Sequence, residues 1–188
     1  MESQKLYMIL LGCKPKGRHT EQHDIFFTIG TDLKSTIPDI NKFWPDGGKI
    51  HIDSWRIVSG CDGYEISVVK KSNSKTQSKN ELKLFFLNLG GYKPDDLEEY
   101  HYKMVMVAAN KTEAINKAKS SAFYKHTGFK GAASHIDDKY GVDVDDFYEI
   151  EDILPSEQKN KFKIKITKKS KLVDDTLHIG YTNLSKIK

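Results

Sequence analysis

Four of the seven histidines lie in two carboxylate-bearing motifs that each occur twice. Glu21-Gln22-His23 is answered by Glu99-Tyr100-His101, and His51-Ile52-Asp53 by His135-Ile136-Asp137. On a strand, residues i and i+2 point to the same face, so each motif sets a carboxylate beside an imidazole. Such a set can bind a divalent metal, since imidazole and carboxylate suit zinc, iron or manganese. It can equally run acid–base chemistry, with the carboxylate orienting the histidine. A third reading is structural: hydrogen-bonded pairs that fix strand ends, because buried polar groups need partners. Lys14-Pro15, answered by Lys93-Pro94, brings a cation near each set. The candidate binding residues are therefore Glu21, His23, His51, Asp53, Glu99, His101, His135, Asp137, Lys14 and Lys93. His101, His135 and Asp137 are the candidate metal ligands.

The elements that would carry these residues also come in pairs. Leu6 matches Leu84, Gly12 matches Gly90 and His23 matches His101, so the chain reads as an internal duplication. Residues 5–11 form an apolar run ending at a glycine, which suits a buried strand. Residues 23–30 follow as a second strand, with His23, Ile25, Phe27 and Ile29 on one face. Asp32 offers a helix cap, and Leu33, Ile37, Ile40 and Trp44 recur at helical spacing. Pro38 falls inside that pattern and predicts a kink or two short helices, the second beginning there. Residues 49–58 and 64–69 read as strands. In the second copy, 84–89 and 100–108 are strands, Asn110 with Glu113 resembles a capping box, and the helix should end near Gly128. Strands follow near 134–136 and 147–150. The pattern is strand, strand, helix, strand, strand, twice: an α+β fold with a pseudo-two-fold relation between copies. A strand–helix–strand unit within one sheet makes its two strands parallel. Both histidine motifs of a copy then lie at one end of the sheet, where the Lys-Pro loop also arrives.

Organisation follows from this: residues 1–70 as the first repeat, 71–80 as a polar linker or hairpin tip, and 81–155 as the second repeat. Residues 156–188 form a basic C-terminal extension, in which 162–166 alternate cleanly as an amphipathic strand able to dock on an edge. The last 20 residues carry weak signals. The net charge of +4 conceals two opposed blocks. Residues 156–188 hold nine Lys against three acids, and residues 137–152 hold eight acids against one Lys. Blocks of opposite sign can neutralise each other, which argues against a nucleic-acid partner. The acidic block does not fit the twelve-residue calcium loop. Gly12–Arg18 is a basic loop lacking the ending of a phosphate loop, and reads as a solvated turn. Cys13 and Cys61 form no metal or redox spacing and fit a reducing cytoplasm. Leu10-Leu11-Gly12-Cys13 imitates a lipoprotein cleavage site, but the apolar run is short and Glu2 stands where a basic segment belongs. No run approaches the length of a membrane span.

The segments KLYMILLGCKPKGR, EQHDIFF, KIHIDSWR, KLFFLNLGGYKP, EEYHYK, FYKHTGFKGAASHIDDKYGVDVDD and EIEDILP resemble a small bacterial family of unknown function, domain-of-unknown-function family fifteen-forty-three. The resemblance covers about residues 5–155, and the family carries one or two copies of its unit. It implies no activity and no catalytic residues. The residues themselves point to a cytoplasmic module binding a small ligand or a protein. The alternatives are a metal-dependent or histidine acid–base enzyme, and RNA binding through the basic extension. Substrate and oligomeric state are not encoded in any motif.

Overall fold

The computed structural model describes residues 3–71, 81–92, 95, 97–120 and 143–188. The fold is α+β. It divides into two compact units, Met1–Asn73 with Ile153–Lys188, and Ser74–Asp152. Among the described residues no helix is long and apolar enough to cross a membrane.

In the first unit the central strand is β1, Lys5–Cys13, flanked by β2 (Gln22–Gly30) and β3 (His51–Ile57). Both neighbours run antiparallel to β1, so they are parallel to each other, as the strand–helix–strand argument requires. Tyr7, Ile9, Leu11 and Cys13 line one face of β1 and form a core with Phe26, Ile40, Ile50 and Ile52. The helix over that face starts as a 3-10 turn, Lys34–Thr36, and continues as α1, Ile37–Phe43. Pro38 sits in the first turn of α1, where its missing N–H leaves no bond unmade. Asp32 caps the turn, its Oδ1 accepting from the Ser35 N–H at 2.8 Å.

Beyond β3 come the short β4 (Gly60–Cys61) and β5 (Tyr64–Lys70). The basic C-terminal segment is not an extension outside the first repeat, because it supplies strands to this unit. β9, Phe162–Lys168, pairs with β5, setting Ile66 opposite Ile166 and Val68 opposite Ile164 while Lys163 and Lys165 face solvent. β10, His178–Asn183, pairs with β3, giving the sheet order β10-β3-β1-β2. The alternation that announces β9 in the sequence is the alternation of a half-buried strand. β10 has no such pattern, since it is an exposed edge whose Ile179 and Tyr181 remain open.

The opposite edge, β2, is closed by one side chain. Gln158 accepts from the Ile29 N–H at 2.7 Å and donates to the Ile29 carbonyl at 3.0 Å and to Asp39 Oδ2 at 2.8 Å. Its amide thus takes the place of a peptide from the next strand, satisfying backbone groups that an edge leaves unpaired.

The second unit has β6 (Lys83–Tyr92) between β7 (Glu99–Ala108) and β8 (Asp143–Glu149), with α2 (Lys111–Ser120) packed against it. Ala114 and Ala118, one turn apart, are fully buried against Phe85, Leu87, Leu89, Met106 and Ala108. Asn110 Oδ1 accepts from the Glu113 N–H at 3.0 Å, and Glu113 Oε2 accepts from the Ala109 N–H at 2.9 Å. The expected helix end at Gly128, the polar stretch 72–80 and the strand near 134–136 lie outside the described residues.

The two hairpins share one register. Leu6 pairs with Ile29 and Gly12 with His23; Leu84 pairs with Val107 and Gly90 with His101. The third strands also correspond in register. Ile52 pairs with Leu11 and His51 with Gly12; Val144 pairs with Leu89 and Asp143 with Gly90. Asp143-Val144-Asp145 therefore holds the place of His51-Ile52-Asp53 in the pairing, and His135-Ile136-Asp137 lies outside the described residues. A match by residue type favoured the histidine-bearing string, whereas backbone pairing follows the strand.

Gln158→Ala should destabilise the first unit by about 1–3 kcal/mol, because the buried Ile29 groups lose their partner. Denaturant unfolding measures it, and an unchanged midpoint would show that water replaces the amide. A second expectation concerns Glu113, whose carboxyl is held below its usual range by the Lys117 ammonium and the Ala109 N–H. A carboxyl lowered by folding contributes stability above its unfolded pKa and loses it as pH falls through the folded value. Glu113→Gln should therefore lower the Tm at neutral pH, and its deficit should close on acidification.

Candidate metal centre

Across the end of the first sheet, His23, Gly12 and His51 form one row, since Gly12 pairs with His23 on one side and His51 on the other. Directly paired residues project to the same face, so two imidazoles flank a position that has no side chain. A Cβ on Gly12 would lie 2.4 Å from His51 Nε2 and 2.8 Å from Asp53 Oδ2. The glycine is there because the side chains of its neighbours fill its space.

Two carboxylates complete the row. Glu21 precedes β2, and Asp53 is the extra residue of a β-bulge, where the pairing passes from Leu11↔Ile52 to Leu10↔Ser54. Bulges re-aim side chains next to functional sites. The four groups close a ring in which each carboxylate gives one oxygen to each imidazole. His51 Nε2 lies 3.2 Å from Asp53 Oδ1 and 3.3 Å from Glu21 Oε1. His23 Nε2 lies 3.3 Å from Asp53 Oδ2 and 3.7 Å from Glu21 Oε2.

Those lengths decide what the cluster resembles. Charge-assisted N–H···O bonds run at about 2.7–2.9 Å. Donors held about 2.0–2.2 Å from one tetrahedral zinc stand about 3.3–3.6 Å apart. The ring edges, 3.2–3.7 Å, are longer than such bonds and fall around the second spacing, with both oxygens of each carboxylate taking part. Asp53 Oδ2 is enclosed and makes no hydrogen bond. His51 is buried, 4% of its side chain exposed, beneath the Tyr181 ring at 4.3 Å, while His23 and Glu21 are each 46% exposed. The site thus has a closed side and an open side.

The second unit repeats the construction with fewer imidazoles. His101 Nε2 lies 3.1 Å from Asp145 Oδ2 and 3.9 Å from Glu99 Oε2. Asp145 is again the bulge residue, between Leu89↔Val144 and Asn88↔Asp146. Gly90 again lies beneath, its absent Cβ 2.3 Å from Asp145 Oδ2 and 2.7 Å from Glu99 Oε1.

Of the residues singled out in the sequence, Glu21, His23, His51 and Asp53 come together, and Glu99 joins His101. Lys14 is exposed in the β1–β2 loop, with no contact to the ring. His135, Asp137 and Lys93 lie outside the described residues. Four participants were missed. Gly12 and Gly90 were visible as a matched pair, but a void has no chemistry of its own in a sequence. Asp145 was absorbed into the acidic run, although its spacing from Asp143 repeats that of Asp53 from His51. Tyr181 gave no signal, lying on an edge strand without periodicity.

Residues 18–68 match a family model described as Domain of Unknown Function (DUF1543). That segment contains all four members of the first ring. The match supports the family resemblance over this stretch, against the wider span of about 5–155 that the sequence suggested. No curated protein matches the chain. The fold is similar to the crystal structure of a protein Il1583 from Idiomarina loihiensis, with a TM-score of 0.64 and 23% identity. The likeness covers 96% of this chain and 98% of that one.

Gly12→Ala should displace His51 or Asp53 and cost about 1–3 kcal/mol, the usual range for overpacking. Denaturant unfolding reads the cost, and a wild-type midpoint would mean the ring yields freely.

Proposed function

We propose that this chain is a divalent-metal protein whose first unit holds the ion between His23, His51, Glu21 and Asp53 and presents it to a small anionic ligand. The observation that carries the reading is the ring of 3.2–3.7 Å edges around the void over Gly12. Two imidazoles and two carboxylates suit zinc, iron or manganese. The buried His51 side supplies a fixed wall, and the half-exposed His23 and Glu21 leave an approach for ligand. An ion there would act as a Lewis acid toward an oxygen of that ligand.

The charge around the approach supports an anion. Lys14, Lys16, Arg18 and His19 are all exposed on the loop that leaves β1 beside Gly12. Charged groups lining one approach raise the local concentration of the opposite ion. The matched hairpin registers and the matched bulges support descent of both units from one duplicated ancestor. The reading belongs to a cytoplasmic protein of bacterial type, as the cysteine usage and family resemblance suggest. Whether the ion serves binding alone or a reaction turns on the ligand.

Elemental analysis of tag-free protein should find zinc, iron or manganese in stoichiometric amount. Isothermal titration of the stripped protein with Zn²⁺ should show a tight site that His23→Gln and Asp53→Asn each weaken. The loss should exceed the roughly 10–100-fold that outer-shell changes cost. Both side chains lie on the rim, so the variants should keep most of the wild-type stability. Metal-free protein that ignores Zn²⁺, with variants that chiefly lower the Tm, would leave the ring as a clamp on strand ends.

A further inference from the structure

The second unit has a cluster with the same footing and a different donor set. Glu99, His101 and Asp145 each offer one ligand atom, and the three atoms lie within 4.8 Å of one another. Asp145 and Glu99 fill the side-chain void of Gly90, as His51 and Asp53 fill that of Gly12. Both bulges place an aspartate at the corresponding point. The clusters are alike in each bringing two carboxylates, oxygen donors that a divalent cation takes. They differ in softness: two imidazoles in the first, one in the second.

A further polar group lies on the same strand. Asn88 lies two residues from Gly90 on β6 and therefore on the same face. Its Nδ2 donates to Asp146 Oδ2 at 3.1 Å, yet its Oδ1 is enclosed without a hydrogen-bond partner. Enclosed carbonyl oxygens without partners are uncommon, and an ion or bound water is the usual remedy. An oxygen donor is thus available on the face that carries the cluster.

We infer that Glu99, His101 and Asp145 form a second, oxygen-rich cation site, which favours manganese over zinc relative to the first. Imidazole draws zinc and iron, whereas carboxylate, carbonyl and water suit manganese, magnesium and calcium. Replacing one imidazole by oxygen ligands shifts the balance toward the harder ions. The two units would then hold unlike metals. This inference stands apart from the first-unit reading, because its ligands belong wholly to the second unit.

The test is Mn²⁺ titration of the metal-stripped full chain, followed by the electron paramagnetic resonance signal of the free ion, with and without one equivalent of Zn²⁺. Wild type should bind two Mn²⁺, and Zn²⁺ should displace the one in the first unit. The double variant His101→Gln/Asp145→Asn should lose one Mn²⁺, or hold it at least tenfold more weakly, and keep its Zn²⁺. Gly90→Ala, which removes no charge, should do the same by filling the void. His23→Gln should lose the zinc-displaceable ion alone, so failure at either unit is read separately. Wild-type Mn²⁺ binding by both second-unit variants would overturn the inference.

Discussion

A strand whose two neighbours both direct carboxylate-paired imidazoles over it has no room for a side chain of its own. That steric fact at Gly12 organises the first unit. The glycine must sit at the end of a central strand, so that neighbours exist on both sides. One face of that strand, Tyr7, Ile9, Leu11 and Cys13, is buried in the core, while Met8 and Leu10 on the other face are only partly covered. The neighbours must be parallel to each other so that both present their first residues at the same rim. A helix between β2 and β3 delivers this, and α1 packs its Ile40 into the core to hold the geometry. The chemistry at the rim and the burial beneath it are consequences of one topology.

Rigidity at the rim comes from elements that carry no site residue. β10 pairs with β3 and stacks two rings on it, His178 against Trp55 at 3.9 Å and Tyr181 against His51 at 4.3 Å. The second contact shields the inner imidazole, which leaves His23 and Glu21 as the solvent side of the ring. On the far edge Gln158 bonds Ile29 in β2, the strand that begins beside His23. Both neighbours of β1 are thereby braced by the C-terminal segment. A positioned set of ligands needs such support, because small displacements of donors weaken an ion's coordination sharply.

Much of this was legible in the residues. The Leu6/Leu84, Gly12/Gly90 and His23/His101 correspondences survive as identical pairing registers, because the period-two code of a hairpin ties residue identity to face. Pro38 and Asp32 announced the broken start of the helix through local rules, and Ile164 and Ile166 announced β9. What escaped depends on contacts distant in the chain. The strand expected near 147–150 falls on β8, but its correspondence to β3 was hidden because Asp143 stands where the first unit has His51, and a match by side chain followed the histidine. β10 is a solvent-facing edge with no hydrophobic alternation to betray it. The role of Gly12 appears only once two other strands are set beside it.

Charge explains why the two clusters keep their carboxylates while their imidazoles differ. With neutral imidazoles each cluster holds two negative charges, Glu21 with Asp53 and Glu99 with Asp145. Carboxylates brought this close repel one another, and Asp53 Oδ2 lacks even a hydrogen bond to offset its enclosure. A divalent cation would offset the paired carboxylates of either cluster, and imidazole and carboxylate together suit zinc, iron or manganese. What the two rims share is therefore a pair of carboxylates and an imidazole beside a strand position that only glycine can occupy.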